Sequence, residues 1–199
     1  MKLKQLLEIP ELRNKNARFN PDPEICMELK SDPFKNYPGL PIENNIEASV
    51  LKFGNQLKVY LVLNENTKFQ IIGKFEGAKV QLHNTYQEES IDVCEKFRKK
   101  GYATKLYLSL LKSGLNILSD FKHYPGTKGL WKKLYDNGVL IQVFDSKTNS
   151  IISDDYNLDD DDLKVWSSNK YLLLATTKKN LIDKHVFENL IRPNQKEKK

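Results

Sequence analysis

The hydrophobic period of this chain first changes at Gly101. From Ala48 to Phe97 apolar and polar residues alternate, which is the period of a half-buried strand. "ASVLKF" and "LKVYLVLN" read as strands joined by a tight turn at "GNQ", and "NENT" is a second turn. "KFQIIGKF", continued by "AKVQLHNTY", is a third strand, and "ESIDVCEKF" is a fourth. After Gly101 the spacing is helical. Leu106, Leu110 and Leu111, with Ala103 and Tyr107 beside them, form one apolar stripe that Gly114 ends. "NILSD" is a short apolar run of the kind a buried parallel strand carries. "PGTKGLWKKLYDNG" is a second helix, with Leu130, Trp131 and Leu134 inward and Gly138 at its end. "VLIQVFDS" and "KYLLLATTK" are two closing strands, separated by a long linker. The order predicts a mixed, mostly antiparallel sheet with helices packed on it, in the α/β or α+β class.

The ends read differently. Residues 1–47 are expected to form an irregular cap. In it "MKLKQLLEI" is a short helix ended by Pro10, and the proline-rich stretch beyond runs over the surface with at most one short helix, near Glu24 to Leu29. The main domain spans residues 48–180, and residues 181–199 hold a last helix and a basic tail.

No run of about 18 apolar residues exists, which excludes a membrane-spanning helix and makes a membrane partner unexpected. The N-terminus is too charged for a secretory signal, so the expected address is cytoplasmic. Cys26 and Cys94 have no metal-ligand spacing, so no metal is expected. They read as two buried thiols in a reducing compartment. Net charge is +6 although "DDYNLDDDD" is an acidic block, so the remainder is more basic than the total. That balance admits nucleic acid or an anionic cofactor as partner.

"VCEKFRKKGYATKL", from Val93 to Leu106, places four basic residues where a strand passes through one glycine into a helix. A helix N-terminus offers unpaired N–H groups and the positive end of its dipole. Glycine lets the backbone approach a phosphate closely. The stretch has neither the GxGxxG of a dinucleotide site nor the GxxxxGK[ST] of a P-loop. It is a candidate phosphate or pyrophosphate loop, with Arg98, Lys99, Lys100 and Lys105 as neutralising charge.

This stretch resembles the acyl-CoA signature of the GNAT family of N-acetyltransferases: a strand valine, then Arg/Gln-x-x-Gly-x-Gly/Ala. The signature falls on Val93, Arg98, Gly101 and Ala103, and the element order from Ala48 to Thr177 is similar. The resemblance implies a sheet whose central parallel strands splay apart, and a cofactor, acetyl-CoA (coenzyme A), in the gap. It implies strand contacts from Val93 and Cys94. Pyrophosphate contacts are implied from the backbone of Arg98, Lys99, Lys100, Gly101, Tyr102 and Ala103, with the Thr104 hydroxyl. It implies an acyl-CoA-dependent N-acyltransferase, most simply an N-acetyltransferase working by direct attack of an amine.

Such transfer needs a base for the amine and an acid for the leaving thiolate. Glu88, Glu89 and Asp92 lie on the strand that would border the gap, and Glu89 and Asp92 are carried forward as the base. Tyr135 is the expected acid, three residues before Gly138 rather than at the family's usual position, which here is Leu134. Ser119 and Asp120 end the "NILSD" strand and are candidates for binding the acceptor or capping the next helix. His83, His123 and His185 have no visible partners in the sequence. The acceptor stays open between an amine on a protein or small molecule and a nucleic acid or aminoacyl-tRNA, as does a binding module without turnover. The acidic block favours a cationic acceptor.

Overall fold

The computed structural model describes residues 25–32, 34–65, 68–120, 125–148, 150–158, 163–168 and 170–177. The helix expected at the N-terminus, His123, Asp159 to Asp162, and the C-terminal helix with its tail lie outside the described residues. The strands are β1 (Glu28–Leu29), β2 (Gly39–Glu43), β3 (Ile46–Phe53), β4 (Gln56–Glu65), β5 (Lys68–Lys79), β6 (Thr85–Val93), β7 (Asn116–Leu118), β8 (Leu140–Asp145), β9 (Ser150–Ser153) and β10 (Tyr171–Thr176). Two helices, α1 (Tyr102–Lys112) and α2 (Pro125–Asp136), interrupt them.

The strands make one sheet in the order β2-β3-β4-β5-β6-β7-β10-β8-β9, with β1 paired to β5. Every pairing is antiparallel except β6 with β7. This is the expected mixed sheet with packed helices and one central parallel pair. That pair needs a crossover, and α1 supplies it.

The alternation of β4 explains its central place. Leu57, Val59, Leu61 and Leu63 join the main core, to which α1 contributes Leu106, Tyr107, Leu110 and Leu111 and α2 contributes Leu130, Trp131 and Leu134. Tyr60 and Val62 point the other way, into a smaller cluster with Phe34, Leu51 and Ile71. At about 25 cal/mol per Å² of buried apolar area, burial on both faces makes β4 a principal stabiliser of the sheet.

Several sequence expectations change. The cap boundary at residue 47 falls inside the β2–β3 pairing, so Gly39 to Glu43 belong to the sheet edge. Pro41 is tolerated there because an edge strand leaves one side of its ladder unpaired. Glu28 and Leu29 form a strand against β5 instead of a helix. The linker between β8 and β10 holds a further strand, β9.

The cysteines are not free thiols: Cys26 and Cys94 form a disulfide with their Cα atoms 5.3 Å apart. The cause is β1. It occupies the edge of β5 beyond the end of β6, and the N–H groups of Cys26 and Cys94 donate to the consecutive carbonyls of Ile71 and Ile72 at 2.8 Å each. Disulfides persist in oxidising surroundings, so the cysteines no longer support a reducing compartment. No helix among the described residues is long and apolar enough to cross a membrane.

Candidate acyl-CoA site

β6 and β7 pair only at Thr85–Asn116, Tyr86–Ile117 and Gln87–Leu118. Beyond Gln87 they part, for a reason on each side. On the β7 side, Ser119 stays with β10: its N–H donates to the Leu173 carbonyl at 2.8 Å, and its hydroxyl accepts the Leu173 N–H at 3.0 Å. On the β6 side, the register shifts against β5 between Glu76 and Gly77 and leaves Glu89 as the extra residue of a bulge. A bulge bends its strand. Among the described residues this leaves Glu88–Val93 without a strand partner on the β7 side, a gap whose closed end, or apex, is marked by the Gln87 side-chain amide donating to the Ser119 carbonyl at 3.5 Å.

Along this edge the peptide groups alternate. Cys94 spends its N–H on Ile72 and its carbonyl on the Phe97 N–H, and its sulfur lies in the disulfide. By the same alternation the groups of Ile91 and Val93 face the gap. Cys94 thus has neither the free thiol nor the free amide expected of it, and Ile91, which the sequence did not single out, takes its place beside Val93.

A 3-10 turn (Glu95–Phe97) leads to Lys99 and Gly101, at φ 62° and φ 83°. Left-handed residues in such a turn build concavities lined by N–H groups. Gly101 is also the N-cap of α1, without a side-chain cap and with no acidic residue in the first turn. A Cβ on Gly101 would meet nothing within 4 Å, so the space before the helix is open. These features fit a phosphate group at the backbone of residues 99–103, beside the half-buried Tyr102 and Ala103 and the buried Thr104, whereas the Arg98 N–H is spent on the Glu95 carbonyl at 3.1 Å. The basic side chains are less uniform than the sequence suggested. Arg98 turns back to donate Nε to the Val93 carbonyl at 2.9 Å. Lys105 is ion-paired with Glu43 of β2. Lys99 and Lys100 are exposed, and Lys100 and Lys96 lie over the Phe97 ring at 5.1 and 5.2 Å.

At the apex stands Glu88, 7% exposed. Burial pushes its carboxyl above the usual carboxylate range, the Tyr107 hydroxyl pulls it partly back, and the charge of Asp120 raises it again. Tyr107 donates to Glu88 Oε2 at 2.6 Å. Glu89 and Asp92, the carboxylates carried forward as the base, are exposed, and Glu88 is the buried carboxylate of this strand. Tyr135 is half-buried on α2 beneath the Lys132 ammonium, 5.3 Å from its ring centroid. It lies one turn beyond Trp131, whose ring meets Tyr107 edge-on at 6.4 Å. Ser119 is fully buried and committed to β10, while Asp120 is half-buried near Glu88.

No family model and no curated protein matches this chain. Three solved structures overlap it loosely. A structure from Bacteroides thetaiotaomicron described as a GNAT-family acetyltransferase has TM-score 0.38 and 11% identity, covering 70% of this chain and 70% of that one. An IAA acetyltransferase from Bacillus cereus has TM-score 0.32 and 13% identity, covering 61% of this chain and 76% of that one. A ribosomal-protein-S18-alanine N-acetyltransferase from Escherichia coli has TM-score 0.34 and 12% identity, covering 66% and 77%. Overlaps this loose assign no activity to this chain.

Proposed function

We propose that the chain is an acyl-CoA-dependent N-acyltransferase that moves an acetyl group to an amine. The observation that carries this reading is a buried glutamate, Glu88, at the apex of a gap whose open end meets an anion-ready helix terminus. A buried carboxyl raised above the usual carboxylate range is suited to taking a proton from an ammonium group.

Acetyl-CoA supplies the activated acetyl group as a thioester. The backbone amides from Lys99 to Ala103 bind its pyrophosphate, with Lys99 and Lys100 adding charge. The gap-facing peptide groups of Ile91 and the N–H of Val93, whose carbonyl already accepts from Arg98, pair with the pantetheine arm. Glu88 takes one proton from the acceptor amine. Tyr135 gives one to the departing sulfur, a role supported by its place on the face of α2 that reaches Tyr107 through Trp131.

Asp120 adds a second carboxylate beside Glu88. Two carboxylates at the apex favour an acceptor that arrives as a cationic alkylamine over one surrounded by phosphates. The test is transfer of label from acetyl-CoA to a lysine-rich peptide, a polyamine and RNA in parallel, with Glu88→Gln as control. Label on the peptide or polyamine, lost in Glu88→Gln, is expected. Label on RNA alone, or equal labelling by both proteins, contradicts the reading.

A further inference from the structure

Tyr107 sits in the apolar stripe of α1, where a leucine would complete the core. Its ring is fully buried between two aromatic edges: Phe75 at 5.7 Å and 88°, and Trp131 at 6.4 Å and 83°. That clamp leaves the ring no room to swing. A buried phenol needs a partner, and here it is the Glu88 carboxylate at 2.6 Å. This bond joins the crossover helix to the apex of the gap.

We propose that Tyr107 is the positioning residue for Glu88: its clamped hydroxyl holds Oε2 and leaves Oε1 as the oxygen that receives the proton of the acceptor amine. The proposal rests on the acyltransferase reading above. The proton balance is simple. An ammonium group and the Glu88 carboxylate become a neutral amine and a carboxylic acid protonated on Oε1, and that proton later returns to solvent. Tyr107 keeps its own proton throughout, because burial, the Glu88 charge and the bond to Glu88 raise its phenol well above the usual range. Among the described residues, the titratable groups that bear on Glu88 are Tyr107 from α1 and Asp120 from the strand end after β7. Asp120 raises the carboxyl and Tyr107 lowers it, so the hydroxyl is the counterweight that lets Glu88 ionise inside the gap.

A structural hydrogen bond would change stability alone. A positioning bond changes where the base titrates, so the test is Tyr107→Phe, which keeps the ring. In kcat/KM against pH, the variant should lose about tenfold on the acid limb, as one hydrogen bond to a charged group implies. The loss should fade at alkaline pH, and coenzyme A affinity should be unchanged. The Glu88 carboxyl, followed by carbon NMR in the unliganded protein and assigned with Glu88→Gln, should titrate at higher pH in Tyr107→Phe. If that variant does not fold, replacing tyrosine by 3-fluorotyrosine, a stronger donor, should move the same titration downward. An unmoved Glu88 titration overturns the proposal. Loss of turnover in Glu88→Gln together with an unmoved acid limb in Tyr107→Phe removes the proposal alone. Parental turnover in Glu88→Gln removes the base assignment and the proposal together.

Discussion

Replacing both cysteines by alanine removes the one covalent tie between β1 and the start of the anion loop. Cys26 and Cys94 are 68 residues apart in sequence. Closing a loop of that length removes about 4 kcal/mol of entropy from the unfolded chain, by the chain-entropy relation. The native side holds little to offset its loss. β1 pairs with β5 at only two positions, Glu28 with Gln70 and Leu29 with Phe69. The nearby Lys68–Glu28 ion pair is 3.8 Å long and exposed, so it contributes little. With a denaturant slope of about 4 kcal/mol per M in guanidinium, the midpoint should fall by about 1 M. Equilibrium unfolding of the parent, with and without reductant, and of Cys26→Ala/Cys94→Ala measures it. Reduced parent and double variant should coincide, both below the oxidised parent. Equal midpoints for all three, with two free thiols in the denatured unreduced parent, would refute the pairing and the placement of β1.

Three further outcomes follow from the site. Ser119→Ala leaves the buried Leu173 N–H without its acceptor and should cost about 1–3 kcal/mol in urea melts; an unchanged midpoint would show that Ser119 does not hold β7 to β10. Glu88 is a carboxyl raised on folding. It is protonated in both states below its unfolded value, and it weakens folding progressively as pH rises through its raised value. Glu88→Gln should therefore gain stability relative to the parent as pH rises, and a difference independent of pH would contradict the burial argument. Tyr135→Phe should lower turnover by about 10²- to 10⁴-fold, as loss of a general acid does, with coenzyme A affinity intact; parental turnover would pass the role to water.

Much of the frame was legible because it rests on local periods. The switch at Gly101, the apolar run at Asn116–Leu118 and the glycine ends of both helices carry their own signals, and the parallel pair follows from them. The misses are non-local. Strict alternation would put Glu89 in step with Ile91 and Val93, whereas the bulge beside Gly77 brings Glu88 into step with the half-buried Ile91. A Cβ on Gly77 would stand 2.9 Å from the Gln87 carbonyl, so that glycine was the available hint of a close approach. The disulfide joins residues with no spacing signal, and only the placement of β1 on β5 brings them together. Tyr107 was visible as a helix-stripe residue, but its phenol asked for a buried partner that the stripe does not name. The edge strands β2 and β9 are short, and one contains a proline, so their pattern fell below what alternation can mark.

Calorimetric titration of coenzyme A into the parent protein and Gly101→Glu shows whether the loop before α1 holds the cofactor. The glycine takes φ 83° at the mouth of α1, and glutamate would put a strained side chain and a negative charge where backbone must meet phosphate. A coenzyme A site at this loop gives micromolar-range binding by the parent that weakens with salt, and at least tenfold weaker binding by a variant still folded by circular dichroism. No binding by the folded parent, or equal affinity in both proteins, would contradict it.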